Sequence, residues 1–215
     1  WEYVFCVYCP RHRVLLRNRC QDCGELIPVW RRALNRCSCG SALSGQGAES
    51  LLGEPDRGLL LANALLTRQG CLLPTEVAHA QDVVPFALQH LSPEQLHQLV
   101  FFLGSYATAP HLQKPRKVAI KVDPQFAWRL LTAAASLLED WPRGFHRFLA
   151  RQLDENTEGS GLRKRFGYLY TAIYREFLGA DFDCLREAFE DFLQSHWDEV
   201  LSGRNRRLSE WLKQS

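Results

Sequence analysis

From residue 57 onward, apolar residues recur every three or four positions, the spacing of helices with one buried face. The stretch 57–70, "RGLLLANALLTRQG", carries leucines at this spacing and stops at Gly70. In "HLSPEQLHQLVFFLGS", Ser92 is placed to cap a helix, Pro93 suits its first turn and Gln95 completes a capping box. "DPQFAWRLLTAAASLLEDWP" repeats the device with Asp123 as cap and Pro124 at the first helical position. One face of that helix would hold Phe126, Leu130, Leu131, Ala134, Leu137 and Leu138. Pro142 then forces a break, and "RGFHRFLARQL" restarts the pattern. Residues 162–179 and 181–197 predict a helix pair joined by a very short turn at Gly179.

The first 43 residues follow a different logic. They hold six of the eight cysteines, all in pairs of very short spacing: "CQDCG", "CSCG" and the earlier "CVYC". Thiols spaced this way more often grip one metal ion than bond to each other. Each pair makes a tight turn, and a glycine after the second Cys tolerates the positive φ that closes it. We assign Cys20, Cys23, Cys37 and Cys39 to one tetrahedral zinc site. Cys9 and His12, in "CPRH", form half of a second site. Cys6 is either a further ligand there or a small packed hydrophobe. Cys71 and Cys184 stand alone in helical sequence and read as buried apolar thiols.

The fold class is therefore mainly α: a small zinc-ribbon module with short β-hairpins, followed by a helical bundle. Polar, Gly-rich stretches at 44–58 and 154–161 divide the chain into a ribbon module at 1–47, a helical domain at 48–153 and a C-terminal helical subdomain at 154–215.

Composition narrows function only slightly. The chain has 215 residues, 46% of them hydrophobic, so a real core can form. The net charge of +2 does not by itself imply nucleic acid. Two basic clusters are candidates for phosphate contact: Arg163, Lys164 and Arg165 ahead of Tyr168, Tyr170 and Tyr174, and Arg204, Arg206 and Arg207 near the end. The tyrosines could stack on bases, but filling a helix-pair core is the favoured reading for them. A third basic run at 114–122 reads as an extended connector. No run of eighteen apolar residues predicts a membrane span, and no signal peptide is visible. The chain starts at Trp1 and contains no methionine, which suggests an internal piece of a longer protein. There is no GxxxxGK[ST] phosphate loop and no HExxH, and the six histidines other than His12 are scattered.

The pattern "W…CPRHRVLL…RCQDCG…RCSCG" resembles the TniQ family, target-selection proteins of transposons related to the TnsD type. The segment "LLEDWPRGFHRFLARQL" is also similar to that family's helical region. In the family a further Cys-x-x-Cys stands before the tryptophan and completes the first zinc site; this sequence begins after that point. The resemblance implies a non-enzymatic adaptor in the bacterial cytoplasm. Such an adaptor marks target DNA, directly or through an RNA-guided complex, and recruits an AAA+ ATPase regulator that recruits the transposase. It leaves homo-oligomerisation open. Two rivals are a direct sequence-specific DNA reader of the attachment-site type and, from another class, a nuclease or transposase fragment.

Overall fold

In the computed structural model, the described residues are 6–9, 14–28, 30, 33–43, 56–70, 83–108, 123–155 and 161–196. A two-stranded antiparallel hairpin comes first, β1 (Tyr8–Cys9) and β2 (Val14–Leu15), with Tyr8 opposite Leu15 and Cys9 opposite Val14. Among the described residues six α-helices follow: α1 (Arg57–Arg68), α2 (Pro93–Thr108), α3 (Pro124–Leu138), α4 (Arg143–Glu155), α5 (Leu162–Arg175) and α6 (Asp183–His196). The fold is mainly helical with a cysteine cluster near its start, as the periodicity predicts. No helix among the described residues is long and apolar enough to cross a membrane.

The expected helix starts form with the expected chemistry. The Ser92 amide donates to Gln95 Oε1 at 2.8 Å, and the Gln95 amide donates to Ser92 Oγ at 3.2 Å, closing the capping box. Asp123 accepts from the Gln125 amide at 3.1 Å, with Pro124 in the first turn. α3 ends at Leu138 and the chain restarts at Arg143, across a cis Trp141–Pro142 bond. Gly70, at φ +72°, lies two residues beyond α1.

Two expectations need correction. Phe126 is 40% exposed, under the Arg129 guanidinium at 5.8 Å, and Ala127 takes the buried place. A face of Ala127, Leu130, Leu131, Ala134 and Leu138 faces α1 and α2 better than one that begins with a bulky ring. The joint between α5 and α6 is also longer than one glycine. It runs from residue 176 to 182 and includes a 3-10 turn at Ala180–Phe182. Phe177 and Phe182 drive it, both buried and packed edge-on at 5.0 Å. Arg186 from α6 then donates to the carbonyls of Phe177 and Gly179 at 2.5 and 2.6 Å.

α3 is the central element, packing on α1, α2 and α4, and α4 carries α5 and α6. A continuous buried cluster takes in all six helices together with Val7, Tyr8 and Leu15 of the hairpin. Tyr8 donates its hydroxyl to Asn63 Oδ1 on α1, a buried contact that ties the hairpin to the helices. α5 is kinked at Gly167 (φ +52°, ψ −127°), and the buried Tyr106 hydroxyl donates to the Phe166 carbonyl there at 2.5 Å. Burial pushes that phenol up to about 12.

Asp56 joins α1 to α3. Its carboxylate accepts from the Gly58 amide at 3.2 Å as the α1 cap, from Trp128 Nε1 at 2.7 Å and from Thr132 Oγ1 at 3.1 Å. Asp56→Ala removes the cap, worth about 1 kcal/mol, and strands a half-buried indole N–H at a cost of about 1–3 kcal/mol. The expected loss is roughly 2–4 kcal/mol, read as a lower urea midpoint at unchanged slope. Asp56→Asn keeps an acceptor oxygen and should lose less. Equal losses for the two variants would contradict this role.

Candidate metal centre

Residues 18–28 and 33–43 form two knuckles built alike. In the first, the Cys20 amide donates to the Glu25 carbonyl and the Gly24 amide to the Cys20 carbonyl, each at 2.9 Å. In the second, the Cys37 amide donates to the Ser41 carbonyl at 2.8 Å and the Gly40 amide to the Cys37 carbonyl at 2.9 Å. Isolated bridges flank each one, Arg19 with Leu26 and Arg36 with Ala42. Gly24 and Gly40 sit at φ +72° and +89°, as the turn requires.

The knuckles bring Cys20, Cys23, Cys37 and Cys39 together. All four sulfurs lie within 4.8 Å of one another. Cys20 Sγ is 3.8 Å from Cys39 Sγ, and Cys23 Sγ is 3.7 Å from Cys37 Sγ. A disulfide would need about 2.05 Å, so these are not bonded pairs. A tetrahedron with metal–sulfur bonds of about 2.3 Å has sulfur–sulfur edges of about 3.8 Å. Two opposite edges already have that length, and the others close with a contraction of at most about 1 Å.

Backbone amides prepare the sulfurs for negative charge. Those of Cys23 and Asp22 favour the Cys20 thiolate, lowering its pKa. The Cys39 amide pulls Cys37 down to about 6. The Glu25 amide favours the Cys23 thiolate, but Cys39 beside it and burial push the group up to about 12. The Ser41 amide does the same for Cys39, which Cys37 and burial still raise overall. Four thiols in one cage resist shared ionisation, and a cation at the centre removes that conflict.

The donor set therefore fits a metal ion. Four protein sulfurs would fill a tetrahedron and leave no position open for a reacting water, so an ion held there would serve structure. Ligation requires thiolates, so protons compete with the metal. Acidification should release the ion, with affinity rising as pH rises through the thiol range. A colorimetric chelator followed across pH checks this, and pH-independent affinity would contradict four-thiolate ligation.

Residues that the spacing argument missed support the cage. Arg19 donates to the Gly24 carbonyl and Arg36 to the Gly40 carbonyl, each at 3.0 Å, so one guanidinium brackets each knuckle. Ser41 Oγ donates to Asp22 Oδ2, tying one knuckle to the other. The signal was available: both motifs open with Arg immediately before Cys, "RCQDCG" and "RCSCG".

The remaining sequence candidates fall elsewhere. Cys9 lies in β1 and is partly buried, as is Cys6; His12 lies outside the described residues. Among the described residues, Cys20, Cys23, Cys37 and Cys39 are the one group of three or more potential ligands close enough to share an ion. Arg163 and Lys164 are exposed in the first turn of α5, with Arg165 partly buried beside them. Arg204, Arg206, Arg207 and the run at 114–122 lie outside the described residues. Tyr168, Tyr170 and Tyr174 pack against the core, as favoured for them. Tyr174 donates to Glu190 at 2.9 Å and Tyr168 donates to Glu176. Cys71 is not described; Cys184 is partly buried, and burial raises its thiol, which fits an inert residue.

Comparison of the chain with family models, with curated proteins and with solved structures found no match.

Proposed function

We propose that the protein is a non-catalytic adaptor of the TniQ type, a zinc-stapled module and a helical body that together link a target-recognition complex or target DNA to an AAA+ ATPase regulator of transposition. The observation that carries this reading is the convergence of the "CQDCG" and "CSCG" knuckles into one four-sulfur cage. Zinc is the proposed ion, because an all-thiolate tetrahedral site suits it and a structural role needs no redox change. The work of such a protein is differential binding: each module holds one partner, and no bond is made or broken.

Two assays test it. Elemental analysis of purified protein should find one zinc per four-cysteine cage, with a second ion if Cys9 and His12 complete a further site. The protein should also associate with an AAA+ regulator assembled on DNA with nucleotide. Zinc without that association would leave a metal-stapled module but defeat the adaptor role.

A direct DNA reader is the second reading, favoured by the exposed Arg163 and Lys164 at the start of α5. That end has no acidic residue in its first turn and no side-chain cap, so its positive helix end and its cations add. A preferred duplex sequence with steep salt dependence, lost in an Arg163→Gln, Lys164→Gln variant, would favour the reader over the adaptor. Metal-dependent cleavage of DNA would instead identify a nuclease or transposase fragment.

A further inference from the structure

The loop between the two knuckles carries the most exposed aromatic side chain among the described residues. Trp30 is 92% exposed, and Leu34 on the same loop is 77% exposed. Large apolar groups left in water mark a contact surface rather than a folding element. The net charge of the segment that carries them says what kind. Residues 1–43 hold seven arginines against three carboxylates, Glu2, Asp22 and Glu25. That is a surplus of four positive charges in a chain whose net charge is +2, so the rest of the chain is net negative.

Two of these arginines are held in place. Arg19 and Arg36 each spend one N–H on a knuckle glycine carbonyl, at 3.0 Å. A guanidinium has five N–H donors, so most of each fork remains. Among the described residues neither arginine is in an ion pair, unlike Arg57, Arg143 and Arg186, which pair with Glu139, Asp140 and Asp183. A pre-positioned fork suits a phosphate, because little freedom is lost on binding. An exposed indole face suits a base, and only an unpaired base offers its face.

We propose that the knuckle module binds single-stranded nucleic acid, with Trp30 stacking on an unpaired base and Arg19 and Arg36 facing the phosphates on either side of the metal cage. The proposal rests on the metal-stapled module, and not on which ATPase or targeting complex the adaptor serves.

The test is fluorescence anisotropy with a labelled oligothymidylate of about 20 nucleotides and a duplex of equal length, at low and physiological salt. The metal content of each variant is measured in parallel. The wild-type protein should bind the single strand more tightly than the duplex, and more weakly as salt rises. Trp30→Ala should weaken single-strand binding by roughly tenfold and leave duplex binding and metal content unchanged. Trp30→Phe should restore most of the affinity. Replacing the forks by point charges, as Arg19→Lys with Arg36→Lys, should weaken binding at full metal content. Tighter binding to duplex, an unaltered Trp30→Ala variant, or displacement by polyglutamate as effective as by oligothymidylate would each overturn the proposal. The last outcome would identify an acidic protein surface as the partner. None of these outcomes depends on association with the ATPase, so the two readings fail separately.

Discussion

Cys20→Ser and Cys37→Ser are each expected to abolish metal binding and unfold residues 18–43 while most of the helical signal survives. The reason is the composition of that segment's interior. Between Leu15 and Asp56, the buried hydrophobic residues among those described are Cys20 and Cys37, at 3% and 5% exposure. Sulfur is the core there. A segment of this size cannot offset its ordering entropy by burial, and a bound ion would supply the difference. Structural zinc sites contribute on the order of 10–16 kcal/mol in peptides, far more than any side-chain contact in this stretch. The helices have their own interior of leucines and phenylalanines, and it does not include the two cysteines. Metal content by elemental analysis and helicity by far-UV circular dichroism check both halves of the expectation. A serine variant that keeps its full metal complement would refute the ligand set. Loss of all helicity would refute the independence of the helical body.

The second large effect is expected at Gly104, where α2 crosses α3. A methyl group there would lie 2.3 Å from the Leu130 carbonyl oxygen, 2.9 Å from its carbon and 3.2 Å from the Leu130 Cα. All three atoms are backbone, so no rotamer change can relieve the clash. The helices must move apart along the most extensive helix–helix contact among the described residues, and the buried Leu103 and Leu130 at the crossing would lose packing. Gly104→Ala should cost about 3 kcal/mol, at the upper end for overpacking. For a chain of this size that lowers Tm by roughly 10 °C. A thermal midpoint within about 2 °C of wild type would show that the crossing is looser than these distances imply.

What could be read from the sequence was local chemistry. The Ser92–Gln95 box, the Asp123–Pro124 start and the two glycine-closed knuckles each depend on residues a few positions apart, and each forms as expected. The face of α3 was legible except at its first turn, where size decided between Phe126 and Ala127. What could not be read depends on partners far along the chain. Nothing near Asp56 announces Trp128 or Thr132, more than seventy residues away. Gly104 looks like a helix weakness until Leu130 is placed against it. The hairpin's attachment through Tyr8 and Asn63 spans 55 residues. The length of the joint at 176–182 is hidden behind the very short turn that Gly179 suggests, because the pull of two buried phenylalanines is a tertiary effect.

Each knuckle is closed by its own bridge and its own arginine, and Ile27 and Asn35 still bond within them, so the chain between those two residues is a spacer whose length neither half dictates. Doubling such a spacer adds only about 0.6 kcal/mol of closure entropy. The segment around Trp30 can therefore be exchanged as a cassette, a new tip mounted on an unchanged socket. Natural variation and laboratory grafting alike can retune what the tip touches without renegotiating how it is held.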